Sequence, residues 1–378
     1  QHMLQSHGMA ASIRKLEIVR CSLGGSLAEN STTNIATNIT TTNPDATTFT
    51  TDATTTPPSE TIQALVRLIQ STYTLQSIDL SCNFLDNAAV QLIVEALSTN
   101  RGLEQVVLED NRLTGRLGGR LIRTLLEQQP KLTSLNIYDN AITAEGALEM
   151  IPALSSHGKL VELNIACCEI HQENDQDKTS IYHVLADSLL HNPHLKELLW
   201  SVGQIDVDHE ATGHTSPCQG GTLAMARLLE NHPSLESLSI IQSPDFWRPD
   251  QPLDVNERFA RALGENRTLQ RLTLEGCGIC DDSVAALCDA LIRNPVLQHV
   301  DLLSNDLGDE GHEHIHRVLH ILQHLRSLSL EGSTLENPQD FVAAMEKNTS
   351  LTYVRVLDTP RWDITPVVDQ FAMRNELM

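Results

Sequence analysis

Residues 297–307, LQHVDLLSNDL, place Leu297, Val300, Leu302, Asn305 and Leu307 at successive gaps of 3, 2, 3 and 2. Neither an amphipathic helix nor an alternating strand repeats in that way. The spacing recurs at Leu75, Ile78, Leu80, Asn83 and Leu85, and at Leu103, Val106, Leu108, Asn111 and Leu113. It returns at Leu132, Leu135, Ile137, Asn140 and Ile142, and at Leu160, Leu163, Ile165, Cys168 and Ile170. Late in the chain it runs through Leu269, Leu272, Leu274, Cys277 and Ile279, then Leu325, Leu328, Leu330, Ser333 and Leu335. The first leucines at 75, 103, 132 and 160 are 28, 29 and 28 residues apart, and those at 269, 297 and 325 are 28 and 28 apart. A fixed period of this length describes stacked units, none of which can bury its apolar face alone.

The unit L-x-x-L-x-L-x-x-N/C-x-L resembles the leucine-rich repeat. The segment that follows narrows the class: GDEGHEHIHRVLHILQH carries Gly311, Ile315, Leu319 and Leu322 at helical spacing, and TAEGALEMIPALSSH and CDDSVAALCDALIRN read likewise. A strand and a full helix per repeat resemble the ribonuclease-inhibitor class. The resemblance implies an α/β solenoid, a horseshoe with a parallel sheet on the concave face and helices on the convex face, in about 10–11 repeats. Residues 13–378 are expected to form one repeat domain after a tail at 1–12. A loop insertion at 24–58 should split the first unit, because 13 threonines fall between residues 31 and 56. Its helix should resume at SETIQALVRLIQ, with Ile62, Leu65, Val66 and Ile69 inward. A cap is expected at about 357–378, where DTPRWDITPVVDQFAMRNELM abandons the repeat.

Charge limits the partners. With 49 acidic and 26 basic residues the net charge is −23, which disfavours nucleic acid and anionic membranes and favours a basic protein partner. No apolar run reaches the length of a membrane span, and the first residues, QHMLQSHGMA, lack the apolar core of a signal peptide. Of the eight cysteines, Cys21, Cys168 and Cys277 occupy the Asn/Cys position of the repeat, and Cys277 with Cys280 forms an isolated C-x-x-C. Free, buried cysteines suit a reducing compartment, so the expected location is cytoplasmic. Asn30, Asn38, Asn266 and Asn348 begin N-x-S/T sequons, which point the other way.

The period stretches in the middle. Starts at 160, 195, 235 and 269 leave gaps of 35, 40 and 34, and the extra length follows each strand: HQENDQDKTS, DVDHEATGHTSPCQGG and SPDFWRPDQPLDVN. Insertions repeated on one face often build a binding surface. The third holds Phe246, Trp247 and Arg248 in a chain with only 3% aromatic residues. These are residue types that dominate interface hot spots. Strand positions facing out are acidic early, at Asp79, Glu109, Asp110 and Asp139, and become partly apolar at Leu199, Ile241 and Leu303. The expected partner site is therefore Leu199, Ile241, Phe246, Trp247, Arg248 and Leu303, used by a monomeric, non-enzymatic scaffold.

Three constellations suggest chemistry. His312, Glu313 and His316 spell H-E-x-x-H, but a third ligand cannot be placed, and the histidines are expected to flank neighbouring helices without metal. Thr114, Gly115, Arg116 and Leu117 resemble the T-G-R-V loop of the GTPase-activating proteins of Ran, whose repeats are of this class. That resemblance would make Arg116 a charge-stabilising residue for phosphoryl transfer. The family's functional asparagine would fall near Cys167 or Cys168, a departure from its pattern. No P-loop, G-x-S-x-G or dinucleotide fingerprint is present, so neither an autonomous enzyme nor a cofactor is expected.

Overall fold

A computed structural model describes residues 13–21, 23, 58–171, 180–202, 219–247, 252–330, 338–356 and 372–376. The tail at 1–12, the threonine-rich insertion and most of the expected cap lie outside them. The chain divides into two compact units, residues 1–170 and 171–378. The first contains β1 (Lys15–Glu17), α1 (Pro58–Ser71), β2 (Ser77–Asp79), α2 (Asn87–Leu97), β3 (Gln105–Val107), α3 (Gly115–Gln128), β4 (Ser134–Asn136), α4 (Thr143–Ser156) and β5 (Glu162–Ile165). The second contains α5 (Ile181–Leu189), β6 (Glu197–Trp200), α6 (Gln219–Asn231), β7 (Ser237–Ile241), α7 (Leu253–Glu265) and β8 (Arg271–Glu275). It continues with α8 (Asp281–Arg293), β9 (His299–Asp301), α9 (Asp309–Leu319), β10 (Ser327–Leu330), α10 (Pro338–Lys347) and β11 (Tyr353–Val356).

Within each unit the strands are parallel and neighbour one another in chain order, as an α/β repeat solenoid requires. Strands of three to five residues suffice, because only one or two side chains per strand face the helices. Ile78, Val106 and Leu135 are such residues, all buried, and they lie opposite one another in register. In α1, Ile62, Leu65 and Ile69 are buried and Val66 is half-buried.

The asparagine of each unit works as the period predicts. Asn111 is buried, and its amide nitrogen donates to the carbonyls of Leu80, Leu108 and Glu109. Its amide oxygen accepts from the backbone of Asn83 and Leu85 in the preceding repeat. One side chain thereby satisfies backbone groups in two repeats, where unpaired groups would be costly. Asn140 and Asn305 do the same, Cys168 and Cys277 donate Sγ–H to Ile137 and Ile240, and Ser243 takes the position after β7. The residue before each rung must turn left-handed: Cys82, Asp110, Asp139, Cys167, Gln242 and Ser304 all have φ between 48° and 59°. Gly276 supplies the same conformation without a Cβ.

A second polar ladder, which the sequence reading missed, lies at the helix ends. Three residues before the first leucine of a repeat sits a buried Asn100, Gln129, His157, Asn266, Asn294 or Asn348. Asn100, Gln129, Asn266, Asn294 and Asn348 donate to Thr72, Leu97, Leu229, Leu263 and Leu319 carbonyls one repeat back, at 2.7–3.0 Å. The amide oxygens of Asn266, Asn294 and Asn348 accept from the leucine that opens their own repeat. Asn375, in the last described segment, donates to Leu351 O at 2.8 Å and extends the series. Helix C-termini leave carbonyls without intrahelical partners, and these side chains supply the donors. A close helix contact lies in the first unit, where a Cβ on Gly119 of α3 would collide with the backbone of Gly146 in α4.

Candidate functional site

The outward faces of β6–β11 carry the candidate site. Register sets Glu197, Ser237, Arg271, His299, Ser327 and Tyr353 in one row across the strands. Leu199, Ser239, Thr273, Asp301, Ser329 and Arg355 form the next row. Ile241 and Glu275 begin a third, which Leu303 continues where its carbonyl accepts from Gly276 N. Leu199, Ile241 and Leu303 are each half-buried. Leu199 lies opposite Ser239, so Ile241 is its diagonal neighbour, about 8 Å away from a strand spacing of about 4.8 Å and a rise of about 3.3 Å per residue. Glu275, between Ile241 and Leu303, has its carboxyl raised above the usual range by burial and by the Asp301 charge.

The first two rows enclose an open groove of about 380 Å³ over β7–β11. Five serine and threonine hydroxyls line it, those of Ser237, Ser239, Thr273, Ser327 and Ser329, and none has a hydrogen-bond partner among the described residues. Arg271, His299, Arg355, Tyr353 and Asp301 complete the lining. Arg271 donates to Glu197 at 2.5 Å, and burial with the Arg271 charge lowers the His299 pKa. Asp301 accepts the backbone N–H of Leu303 at 3.0 Å. The groove brings together guanidinium groups, hydroxyls and one carboxylate, a set suited to binding and without an activated nucleophile.

The aromatic part of the expected site is corrected. Phe246 and Trp247 are fully buried at 0% exposure. Both stack edge-on against Phe259 of α7, each with ring centroids 5.1 Å away. The backbone locks the turn: Phe246 O accepts from Thr222 Oγ1 at 2.7 Å, and Trp247 N donates to Cys277 O at 3.0 Å. Phe246 and Trp247 turn inward against Phe259, because burying two large rings is worth more than exposing them. Arg248 lies outside the described residues. Adjacent aromatics in a polar insert read equally as an anchor or a plug; the recurring leucine frame, which places Ser243 as a rung, was the available clue.

The other constellations resolve locally. Arg116 lies in the first turn of α3, exposed, and pairs with Glu149 at 2.8 Å. Glu149 also meets Arg120, and these arginines hold its carboxyl below the usual range. To reach a bound nucleotide Arg116 would have to leave that pair. His312 is buried at 2% exposure, with neither ring nitrogen partnered among the described residues. His316 stacks on Phe341 of α10 with centroids 5.2 Å apart, and burial together with His312 lowers its pKa to about 4. Glu313 pairs with Arg317 at 2.8 Å, and no group of three metal-ligating side chains occurs among the described residues. Cys277 is a buried rung with its thiol pushed well up, and Cys280 caps α8.

A leucine-rich-repeat family model matches residues 128–150, 265–288 and 293–313. The mouse ribonuclease inhibitor is 25% identical over 245 residues, 65% of this chain and 46% of that protein. The chain is a leucine-rich-repeat protein of the ribonuclease-inhibitor-like class. This repeat protein is also similar to human "NACHT, LRR and PYD domains-containing protein 14", 28% identical over 264 residues, 64% of this chain and 23% of that protein. It spans less than half the length of either relative. A structure titled "Crystal structure of Rad7 and Elc1 complex in yeast" is 14% identical with a TM-score of 0.46, covering 79% of this chain and 73% of that one. No described helix of the repeat protein is long and apolar enough to cross a membrane.

Proposed function

We propose that this chain is a non-enzymatic scaffold that binds a protein partner through the outward strand face of its second unit. One observation carries the reading: Leu199 and Ile241 are diagonal neighbours, with Leu303 two strands beyond Ile241, and all three are half-buried on a face that lacks any covering element among the described residues. Apolar side chains grouped on an exposed face mark interaction sites more often than chance. Arg248, outside the described residues, remains a proposed contact. With a net charge of −23, the partner's surface outside this contact is proposed to be basic. The protein is proposed to act as a monomer in the cytoplasm. The buried, donated amides of Asn266 and Asn348 support that compartment, because a glycan would have to replace those hydrogen bonds.

The test is affinity capture with the wild type and with a Leu199→Ser/Ile241→Ser double variant, alongside thermal melts of both. A partner captured by the wild type should be lost from the variant by more than tenfold, with the melting temperature unchanged. Equal capture would refute the assignment of this face.

A further inference from the structure

We infer that the groove over β7–β11 takes an extended, uncharged segment of the partner rich in hydroxyl and carboxamide side chains. This rests on the scaffold reading and names the chemistry that the face would select. The observation behind it is a pair of buried hydroxyls. Ser237 and Ser329 line the groove at 8% and 5% exposure, and neither hydroxyl has a partner among the described residues. Ser237 lies between Glu197 and Arg271 in its row, and Ser329 between Asp301 and Arg355 in the next. A hydroxyl so placed has lost most of its water, and it regains a bond only from what enters the groove. Ser239, Thr273 and Ser327 add three more hydroxyls, half-buried and likewise unpartnered among the described residues. On the first unit's face, by contrast, Ser77 and Ser81 already donate to Gln105 and Asp79.

The charged groups of the groove are largely spent on the chain itself. Arg271 donates to Glu197, Arg355 is engaged within the chain, and Asp301 accepts the Leu303 N–H. Burial and the Arg271 charge lower the His299 pKa, so its ring is uncharged at neutral pH. What remains on offer is a field of hydroxyls, each able both to donate and to accept. Carboxamides, hydroxyls and peptide groups match both roles, whereas a carboxylate only accepts and an ammonium only donates. An aliphatic side chain does neither and would leave the buried serines stranded. A carboxylate also meets a chain of net charge −23, and an ammonium meets two guanidinium groups against one lining carboxylate. From β7 to β11 the groove crosses four strand steps, about 19 Å at about 4.8 Å per step, which about six extended residues span at about 3.3 Å each.

The probe is a fluorescein-labelled hexapeptide, Ser-Gln-Thr-Gln-Ser-Gln, titrated by anisotropy against the full chain. Counterparts replace the three glutamines by glutamate, by lysine or by leucine, and maltohexaose serves as a competitor that carries hydroxyls without peptide groups. The glutamine peptide should bind more tightly than each counterpart by about fivefold or more. Its affinity should change by less than about twofold between about 0.05 and about 0.5 M salt, because no ion pair forms. Ser237→Ala and Ser329→Ala should each weaken it by about threefold or more, as the loss of one hydrogen bond does. Both should leave the melting temperature unchanged or slightly raised, because neither hydroxyl is paired in the free protein. A lowered melting temperature in both variants would show that these hydroxyls bond within the chain, and would overturn the inference. So would equal binding of the glutamate or lysine peptide, or undiminished binding by both serine variants. Displacement of the peptide by maltohexaose at lower concentration than by unlabelled peptide would reassign the groove to a saccharide. If the peptide fails while Leu199→Ser/Ile241→Ser still abolishes partner capture, only the polar-segment inference falls. If the double variant captures normally, the scaffold reading falls first.

Discussion

The outward faces of the two units are built on the same backbone and finished differently. In the first unit the polar side chains satisfy one another: Ser77 donates to Gln105 at 3.0 Å, Asn136 to Glu109 at 2.9 Å, and Ser81 to Asp79. Its carboxylates crowd, and burial together with the Asp110 charge raises the Asp139 pKa. On the second unit's face the serine and threonine hydroxyls of the groove have no partner among the described residues, the charges are mixed, and apolar side chains stand beside them. A repeat fold fixes the positions of outward side chains but leaves their chemistry unconstrained, since the core does not depend on them. A face whose polar groups are already paired has less to offer a partner than one whose donors are unspent.

The largest test strikes at the second unit's interior. Trp247→Ala should cost about 3–5 kcal/mol, the usual range for removing a buried aromatic ring, and lower the denaturation midpoint of the protein. A variant with normal stability and lost binding would restore Trp247 as an exposed anchor and break the contrast between the units. A smaller loss comes from the rungs. Asn111→Ala strands buried backbone groups on both sides and should cost about 1–3 kcal/mol by urea denaturation. Cys277→Ala removes only weak Sγ–H bonds and should cost less. Equal costs would mean that the rung works by volume alone.

Acid should separate the units next. The pKa values of His312 and His316 are lowered in the fold, His316 to about 4, so the unfolded chain binds more protons between about pH 6.5 and 4. Their stabilising contribution is complete above pH 6.5 and is lost as the pH falls through that window. Asp281 beside His312, and Asp340 beside His316, soften the loss without reversing it. In the first unit the raised Asp139 has the opposite sign, favouring the fold slightly on acidification just above the ordinary carboxylate pKa. Hydrogen exchange at pH 5 should therefore show α9 and α10 opening before α2 and α3, and His316→Gln should narrow the difference. Uniform opening would remove this distinction. The smallest effect is expected at Asp79→Asn on the first unit's face: binding of the second unit's partner within about twofold of wild type, and stability within about 0.5 kcal/mol, as for most surface changes.

The core leucines, the strand positions and the asparagine rungs were readable directly, because each repeats the same local requirement every 28 or 29 residues and the side chain's role follows from its place. Cys168 and Cys277 fall on that register by spacing alone. The second ladder was periodic too, but it passed unread because its residues change from Asn100 to Gln129 to His157. Only donor capacity is conserved among those three side chains, and a pattern of letters hides it.

What the chain by itself determined was thus the repeating frame: which residues face the core, where each strand ends, and where the period stretches. What only the tertiary structure decided was the direction of the insert and the chemistry of the face. Phe246 and Trp247 turned inward because Phe259, 12 residues further on from Trp247, lies within ring contact only once α7 has folded over them. The groove likewise depends on Ser237, Arg271, His299, Ser327 and Tyr353 falling in one row, which register across separate strands creates. Local periodicity encodes the inside of a repeat protein, whereas a surface site is a sum over repeats that becomes visible only when the strands are side by side.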